Sequence, residues 1–306
     1  MKVFVTGATG YCGAPVVKLL LAEGHHVVGL VRSEASAERL RKAGGEPLTG
    51  TVDDLDVLAK AAAAADGVIH TAFRHDGSVP YTDACKIDCA AIKAMTDAMA
   101  GTDKPFVMSS GTGVVGETGP QPVTEEFPID PEHALATRVS TERAAVVAAG
   151  RGVRASVLRL PMYVWGNNGS YFIPLNIAAA KQHGKAHYIL PGSQQTSGVH
   201  VDDLARLYVL ALKHAPAGTV YFATTSNNSS ARSIAEACAS NAGVGTEGIS
   251  YEDAIAQKIW PDWVASLYVL NNRADSTKAE KMLGWGDFKN TDMLADIVSG
   301  SYAAKA

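Results

Sequence analysis

The chain has 306 residues, 47% of them hydrophobic and 19% charged, with a formal net charge of −4. That is enough chain to bury a large α/β core, and the charge balance, with no Lys/Arg run, excludes a sequence-independent nucleic-acid surface, which needs clustered cations. No apolar run reaches the roughly 20 residues that cross a bilayer, and "MKVFVTGATG" lacks the apolar core and cleavage site of a signal peptide, so the expectation is a cytoplasmic protein with a small-molecule substrate and neither nucleic-acid nor membrane partners.

The first strand candidate, "KVFVTG", ends in "TGATGYCG", which places Gly7, Gly10 and Gly13 three residues apart, directly before the apolar helix "APVVKLLLAEG". Glycines there allow a tight turn and a close approach of backbone to a pyrophosphate, while the helix N-terminus offers unpaired N–H donors. The next strand, "HHVVGLVR", ends at Arg32 followed by Ser33, where an NAD site would carry an acid for the adenosine ribose. A guanidinium there suits a 2′-phosphate through forked, charge-assisted hydrogen bonds, which favours NADP(H) over NAD(H). Glu34 keeps NAD(H) open.

Helix "ASAERLRKAG", strand "EPLTG", helix "LDVLAKAAAAA", strand "DGVIHTA", helix "AAIKAMTDAMAG", strand "KPFVMSSG", helix "RVSTERAAVVAAG" and strand "RASVLRLP" follow in order. Doubly buried strands alternating with helices predict a Rossmann-type, doubly wound parallel sheet over residues 1–160. Residues 161–306 read as a smaller mixed substrate-binding region, with helices over 174–183, 203–213 and 231–242. It returns the core strand "TVYFATT" to the main sheet. Four cysteines, Cys12, Cys85, Cys89 and Cys238, give neither a disulfide framework nor metal-ligand spacing, so no metal is expected.

His70, Arg74, His75 and Asp76 in "HTAFRHD" follow the fourth strand at the mouth of the expected cleft, with His70 read as a hydrogen-bonded core residue. His75 and His133 are alternative proton donors, because imidazole titrates near neutrality. "IWPDWVASLY" groups Trp260, Trp263 and Tyr268 as a packing patch, a pocket wall or a subunit contact, which leaves a homodimer open.

With "TGATGYCG", "DGVIHTAF", "VMSSGTGVVG", "VLRLPMYVWG", "GVHVDDLARLYVLAL" and "STKAEKMLGW" in place, the chain resembles the short-chain dehydrogenase/reductase superfamily, of the extended or atypical kind that includes NAD-dependent epimerase/dehydratase-like proteins. The resemblance spans nearly the whole length. It implies that Gly7, Thr9, Gly10, Tyr11 and Cys12 line the pyrophosphate and that Arg32 sits at the adenosine ribose. It further implies that Thr71, Ala72, Phe73 and Ser109 lie beside the cofactor, with Pro161 to Val164 near the nicotinamide. Thr51 stands where such proteins often carry an acid at the adenine, with Asp53 two residues on. His200 and Asp202 of "VHVDD" shape the substrate region or serve packing and capping.

The family's usual chemistry needs a tyrosine with a lysine four residues later and a Ser or Thr that orients the substrate oxygen. Here Arg138 takes the tyrosine position and Glu142 the lysine position. Locally the two read as an i, i+4 ion pair on one helix face. Three functions fit: a reductase of a carbonyl, imine or activated alkene, with Tyr163 as proton donor and Thr112 or Ser110 orienting the substrate; an isomerase, dehydratase or lyase using Arg138 and Glu142 themselves; or a non-catalytic, redox-responsive NADP(H)-binding module.

Overall fold

The computed structural model describes residues 1–75 and 77–303; Asp76 of the predicted cleft-mouth cluster lies outside the described residues. The first half runs β1 (Lys2–Thr6), α1 (Gly13–Ala22), β2 (His26–Val31), α2 (Glu34–Ala43), β3 (Glu46–Thr49), α3 (Leu55–Ala64), β4 (Gly67–His70), α4 (Tyr81–Ala98), β5 (Pro105–Gly111), α5 (Val139–Ala148) and β6 (Arg154–Leu160). Its central strands are apolar runs buried on both faces, as in Val3 to Val5 of β1 and Val68 to His70 of β4, whereas β3 at the sheet edge is only partly buried. Ser33 starts α2 by accepting a hydrogen bond from the Ser36 N–H, and Gly44, at φ +97°, ends it.

The second half runs β7 (Tyr163–Trp165), α6 (Phe172–His183), β8 (Lys185–Ile189), β9 (Gln195–His200), α7 (Val201–His214), β10 (Thr219–Phe222), β11 (Ser226–Ser230), α8 (Ala231–Ala242), β12 (Gly245–Ile249), α9 (Tyr251–Ala256), α10 (Asp262–Tyr268), α11 (Thr277–Leu283) and α12 (Met293–Ser299). Among the described residues no helix is long and apolar enough to cross a membrane.

Seven strands form one parallel sheet in the order β3-β2-β1-β4-β5-β6-β10, the Rossmann-type arrangement expected from the alternating pattern. Strand order reverses between β1 and β4, so the crevice outside their carboxyl ends is where such a sheet binds ligands. One face of the sheet packs on α1 and α7 through Val16, Leu20, Leu204 and Tyr208. The other packs on α3, α4 and α5 through Leu58, Ile92, Met95 and Ala145. Residues beyond 160 thus contribute α7 and β10 to the main layer. Ala279 and Leu283 of α11 also pack in the main core, while a smaller lobe carries two sheets, β11-β9-β7 and β12-β8, around Tyr163, Trp165, Ile173 and Cys238.

Candidate active site

The turn from β1 into α1 leaves no room for a side chain at Gly7 or Gly13. Gly7 has φ +69°, and a Cβ there would lie 2.6 Å from Thr71 Oγ1 and 3.0 Å from the Ala72 nitrogen; at Gly13 it would lie 2.1 Å from the Gly7 carbonyl oxygen. The Gly10 N–H closes the turn onto Gly7 O at 2.9 Å. Helix α1 has no side-chain cap and no acid in its first turn; the Ala14 N–H is taken by Gly10 O at 2.9 Å, and the positive end of the helix faces the turn. A dinucleotide pyrophosphate fits this backbone cradle. Thr9 lies within it half-buried, and the Tyr11 hydroxyl donates to Gly166 O at 2.8 Å. Burial pushes the Cys12 thiol up to about 12, so it remains a neutral packing group.

At the end of β2, Arg32 is exposed beside Ser33, and Arg39 Nη2 donates to Ser36 Oγ at 3.0 Å. The Glu34 carboxylate is taken up by Arg41 Nη1 at 2.6 Å. Thr51 donates twice to Asp54 Oδ2, through its N–H at 2.7 Å and its hydroxyl at 2.9 Å. Asp53 pairs with Arg74.

The expected Arg138–Glu142 ion pair is replaced by two separate buried networks. Arg138 lies at the junction of a 3-10 turn, Ala136–Arg138, with α5. Its Nη1 donates to Asp88 Oδ2 of α4 at 2.6 Å, its Nη2 to the Ser109 carbonyl at 2.9 Å, and its Cζ stands 4.0 Å from the Phe73 ring centroid. Asp88 also meets His70 Nε2 at 2.9 Å, and His70 Nδ1 meets Thr6 Oγ1 at 2.7 Å. Thr6 Oγ1 in turn accepts from the Ala72 N–H at 3.2 Å. A chain of contacts therefore links Arg138 to the ends of β1 and β4. Burial pushes Asp88 up, but the Arg138 guanidinium and His70 outweigh it and hold the carboxyl below its ordinary range.

Glu142 instead receives Arg159 of β6 in a forked pair, Nε to Oε1 at 3.0 Å and Nη2 to Oε2 at 2.7 Å, plus the Ser110 hydroxyl at 2.6 Å. The two positions select different partners because their side chains are buried where α5 meets α4 and the sheet, and an intrahelical pair would leave Asp88 and Arg159 uncompensated.

The other expected site residues divide between cleft and core. Thr71, Ala72, Phe73 and Ser109 are half-buried at the carboxyl ends of β4 and β5, and Ser109 Oγ bonds the Tyr208 hydroxyl at 2.5 Å. Thr112 is fully buried and donates to Asn272 Oδ1 at 2.5 Å, which leaves its hydroxyl engaged in the core instead of orienting a substrate. Pro161 is buried at the exit of β6, and Val164 packs in the main core. Tyr163, one residue away, faces the other side. Its phenol sits in the small-lobe core, 5.8 Å from Phe172 between ring centroids, where burial raises its pKa. Its side chain is buried there.

His200 caps α7 by accepting from the Asp202 N–H at 3.2 Å. His133 packs at Gly116, and His75 is exposed. Trp260 is buried and meets the half-buried Tyr268 edge-to-face, whereas Trp263 is half exposed and stacks on Tyr171. Sequence reasoning missed Asp88 and Arg159. The available signal was an acid within the apolar run "IDCAAI" and a cation inside the buried strand "VLRLP".

The model of the NAD dependent epimerase/dehydratase family matches residues 3–223. The chain is 38% identical over 303 residues to an uncharacterized protein of Schizosaccharomyces pombe, covering 99% of this chain and 100% of that one. It is 30% identical over 236 residues to 4-hydroxy-2-methyl-3-oxo-4-farnesyl-3,4-dihydroquinoline-1-oxide ketoreductase of Stigmatella aurantiaca, covering 73% of this chain and 68% of that protein. Among solved structures, DesIV, the dTDP-glucose 4,6-dehydratase of Streptomyces venezuelae with NAD and TYD bound, superposes with a TM-score of 0.78 at 20% identity, over 99% of this chain and 97% of that one.

Proposed function

The chain belongs to the NAD dependent epimerase/dehydratase family, and from that premise we propose that it is an NADP(H)-dependent reductase of a small organic substrate carrying a polarised carbonyl, imine or activated alkene. When bound, the reduced nicotinamide supplies a hydride. The observation that carries the reading is the placement of Arg138. Its guanidinium is fixed over Phe73 and against Ser109 O, at the end of the strands bordering the crevice, in the position that the resemblance gives to a tyrosine. Such a group stabilises negative charge developing on a substrate oxygen without itself giving up a proton. The ketoreductase relative supports a ketone as the reducible group.

Use of Glu142 as a base finds less support, because three donor groups already fill its oxygens. The preference for NADP(H) rests on Arg32, Ser33, Ser36 and Arg39 gathered at the end of β2 and on the diversion of Glu34 to Arg41. The test mixes purified protein with NADPH or NADH and a panel of ketones, imines and enones, following the absorbance of the reduced nicotinamide. Faster consumption of NADPH is expected. Binding with no turnover across a broad panel would overturn the reading in favour of a redox-responsive module.

A further inference from the structure

The segment that joins β7 to α6 has an unusual backbone. Gly166, Asn167, Asn168 and Ser170 all have positive φ, at +104°, +52°, +53° and +83°. Three of these are not glycine, and left-handed backbone at such residues is kept only where surrounding contacts over-determine it. The contacts come from two distant parts of the chain. From the C-terminal side, the Gly166 N–H donates to the Tyr302 hydroxyl at 2.9 Å, and that hydroxyl donates to Gly169 O at 2.9 Å. The Asn168 N–H donates to Ser301 Oγ at 3.0 Å, and Ser301 is held by Asp296 through its N–H at 2.7 Å and its hydroxyl at 2.8 Å. Tyr302 is buried, and its carbonyl accepts from Asn241 Nδ2 at 2.9 Å.

From the other side comes the glycine loop. The Tyr11 hydroxyl donates to Gly166 O at 2.8 Å. The Tyr11 ring lies so close to Gly169 that a Cβ there would sit 2.0 Å from Tyr11 Cε2. Residues 166–170 are thus pinned between the end of the chain and the residue that follows Gly10 in the cofactor cradle.

We propose that Tyr302 is a positioning residue for the dinucleotide. By bridging Gly166 and Gly169 it fixes the 166–170 segment against Tyr11, and through Tyr11 it sets the conformation of the turn that receives the pyrophosphate. The proposal rests on the reading of the glycine loop as the dinucleotide site. It touches no reacting atom, so its signature lies in binding.

The experiment measures affinity by fluorescence or calorimetry for NADPH and for adenosine 2′-monophosphate, which carries the adenosine and its 2′-phosphate with neither phosphate of the bridge, in the wild type, Tyr302→Phe, Tyr11→Phe and the double variant. Phenylalanine keeps the ring packing and removes only the hydroxyl. Tyr302→Phe is expected to weaken NADPH by about tenfold, the scale of one or two lost hydrogen bonds, and to leave adenosine 2′-monophosphate within about twofold. The double variant is expected to lose no more than the worse single one, because both hydroxyls act through one segment. Hydrogen exchange at Gly166 and Asn168 should accelerate in Tyr302→Phe. Unchanged NADPH affinity in Tyr302→Phe overturns the proposal, as do equal losses for both ligands or additive losses in the double variant. A wild type that binds no dinucleotide at all overturns the glycine-loop reading and this proposal with it.

Discussion

Arg138 and Asp88, 50 residues apart in the chain, meet at 2.6 Å with both side chains almost wholly buried. The carboxylate faces His70 on its other oxygen, so the contact joins a helix N-terminus to the end of a sheet strand. Its consequences for stability and for chemistry can be separated by experiment.

Asp88→Asn leaves the Arg138 charge buried and unpaired and should cost about 3 kcal/mol in urea unfolding at neutral pH. Asp88 titrates below its ordinary range in the folded chain. Its stabilising contribution is therefore complete above the ordinary carboxylate pKa and is lost as pH falls from there through the lowered folded value. Wild-type stability should decline over that acidic window, and the variant should decline less. Parallel acid profiles for the two proteins would contradict the assignment.

Arg138→Met combined with Asp88→Asn removes both charges together and should preserve folding better than Arg138→Met alone. Turnover of the best substrate from the panel should drop about a hundredfold, the usual scale for a lost oxyanion-stabilising donor. NADPH affinity should stay within about threefold, because the pyrophosphate cradle is backbone. A double variant with full turnover would remove Arg138 from the chemistry.

Glu142→Gln should lower stability by about 3 kcal/mol, because Arg159 loses a buried counter-charge. The folded fraction should still turn substrate over. Complete loss of turnover in well-folded protein would instead favour the isomerase or dehydratase reading.

Arg32→Ala should raise the Kd for NADPH by about tenfold and that for NADH by much less, the loss of a charge-assisted contact being on that scale. Equal effects on both would argue that Arg32 does not meet the 2′-phosphate.

Gly13→Ala should abolish dinucleotide binding and lower the melting temperature, because the new Cβ would stand 2.1 Å from the Gly7 carbonyl oxygen, a backbone atom that cannot yield. Binding at wild-type affinity would mean that the turn can open.

The sheet was legible in the sequence because its strands are short β-branched runs separated by helices of ordinary length, and even β10 announced itself as "TVYFATT". The glycine spacing was legible for the same local reason: a turn this tight constrains residue type directly. The partners of Arg138 and Glu142 were not. Spacing along α5 made each the natural partner of the other, yet the choice was decided by Asp88 on α4 and Arg159 on β6, whose proximity exists only after the sheet closes. The side that Tyr163 faces was illegible for a related reason. Adjacent strand positions face opposite sides, and the side facing the small lobe could be known only once that lobe was packed.

The forked contact between Glu142 and Arg159 also constrains redesign. Glu142→Lys, the change that would place here the lysine of the pattern that the chain resembles, would set a second cation against Arg159 in the buried space where the Ser110 hydroxyl now donates. Neither that change nor loss of Arg159 is tolerable first. An engineer who sets tyrosine at position 138 and lysine at position 142 must therefore rebuild β6 in the same step.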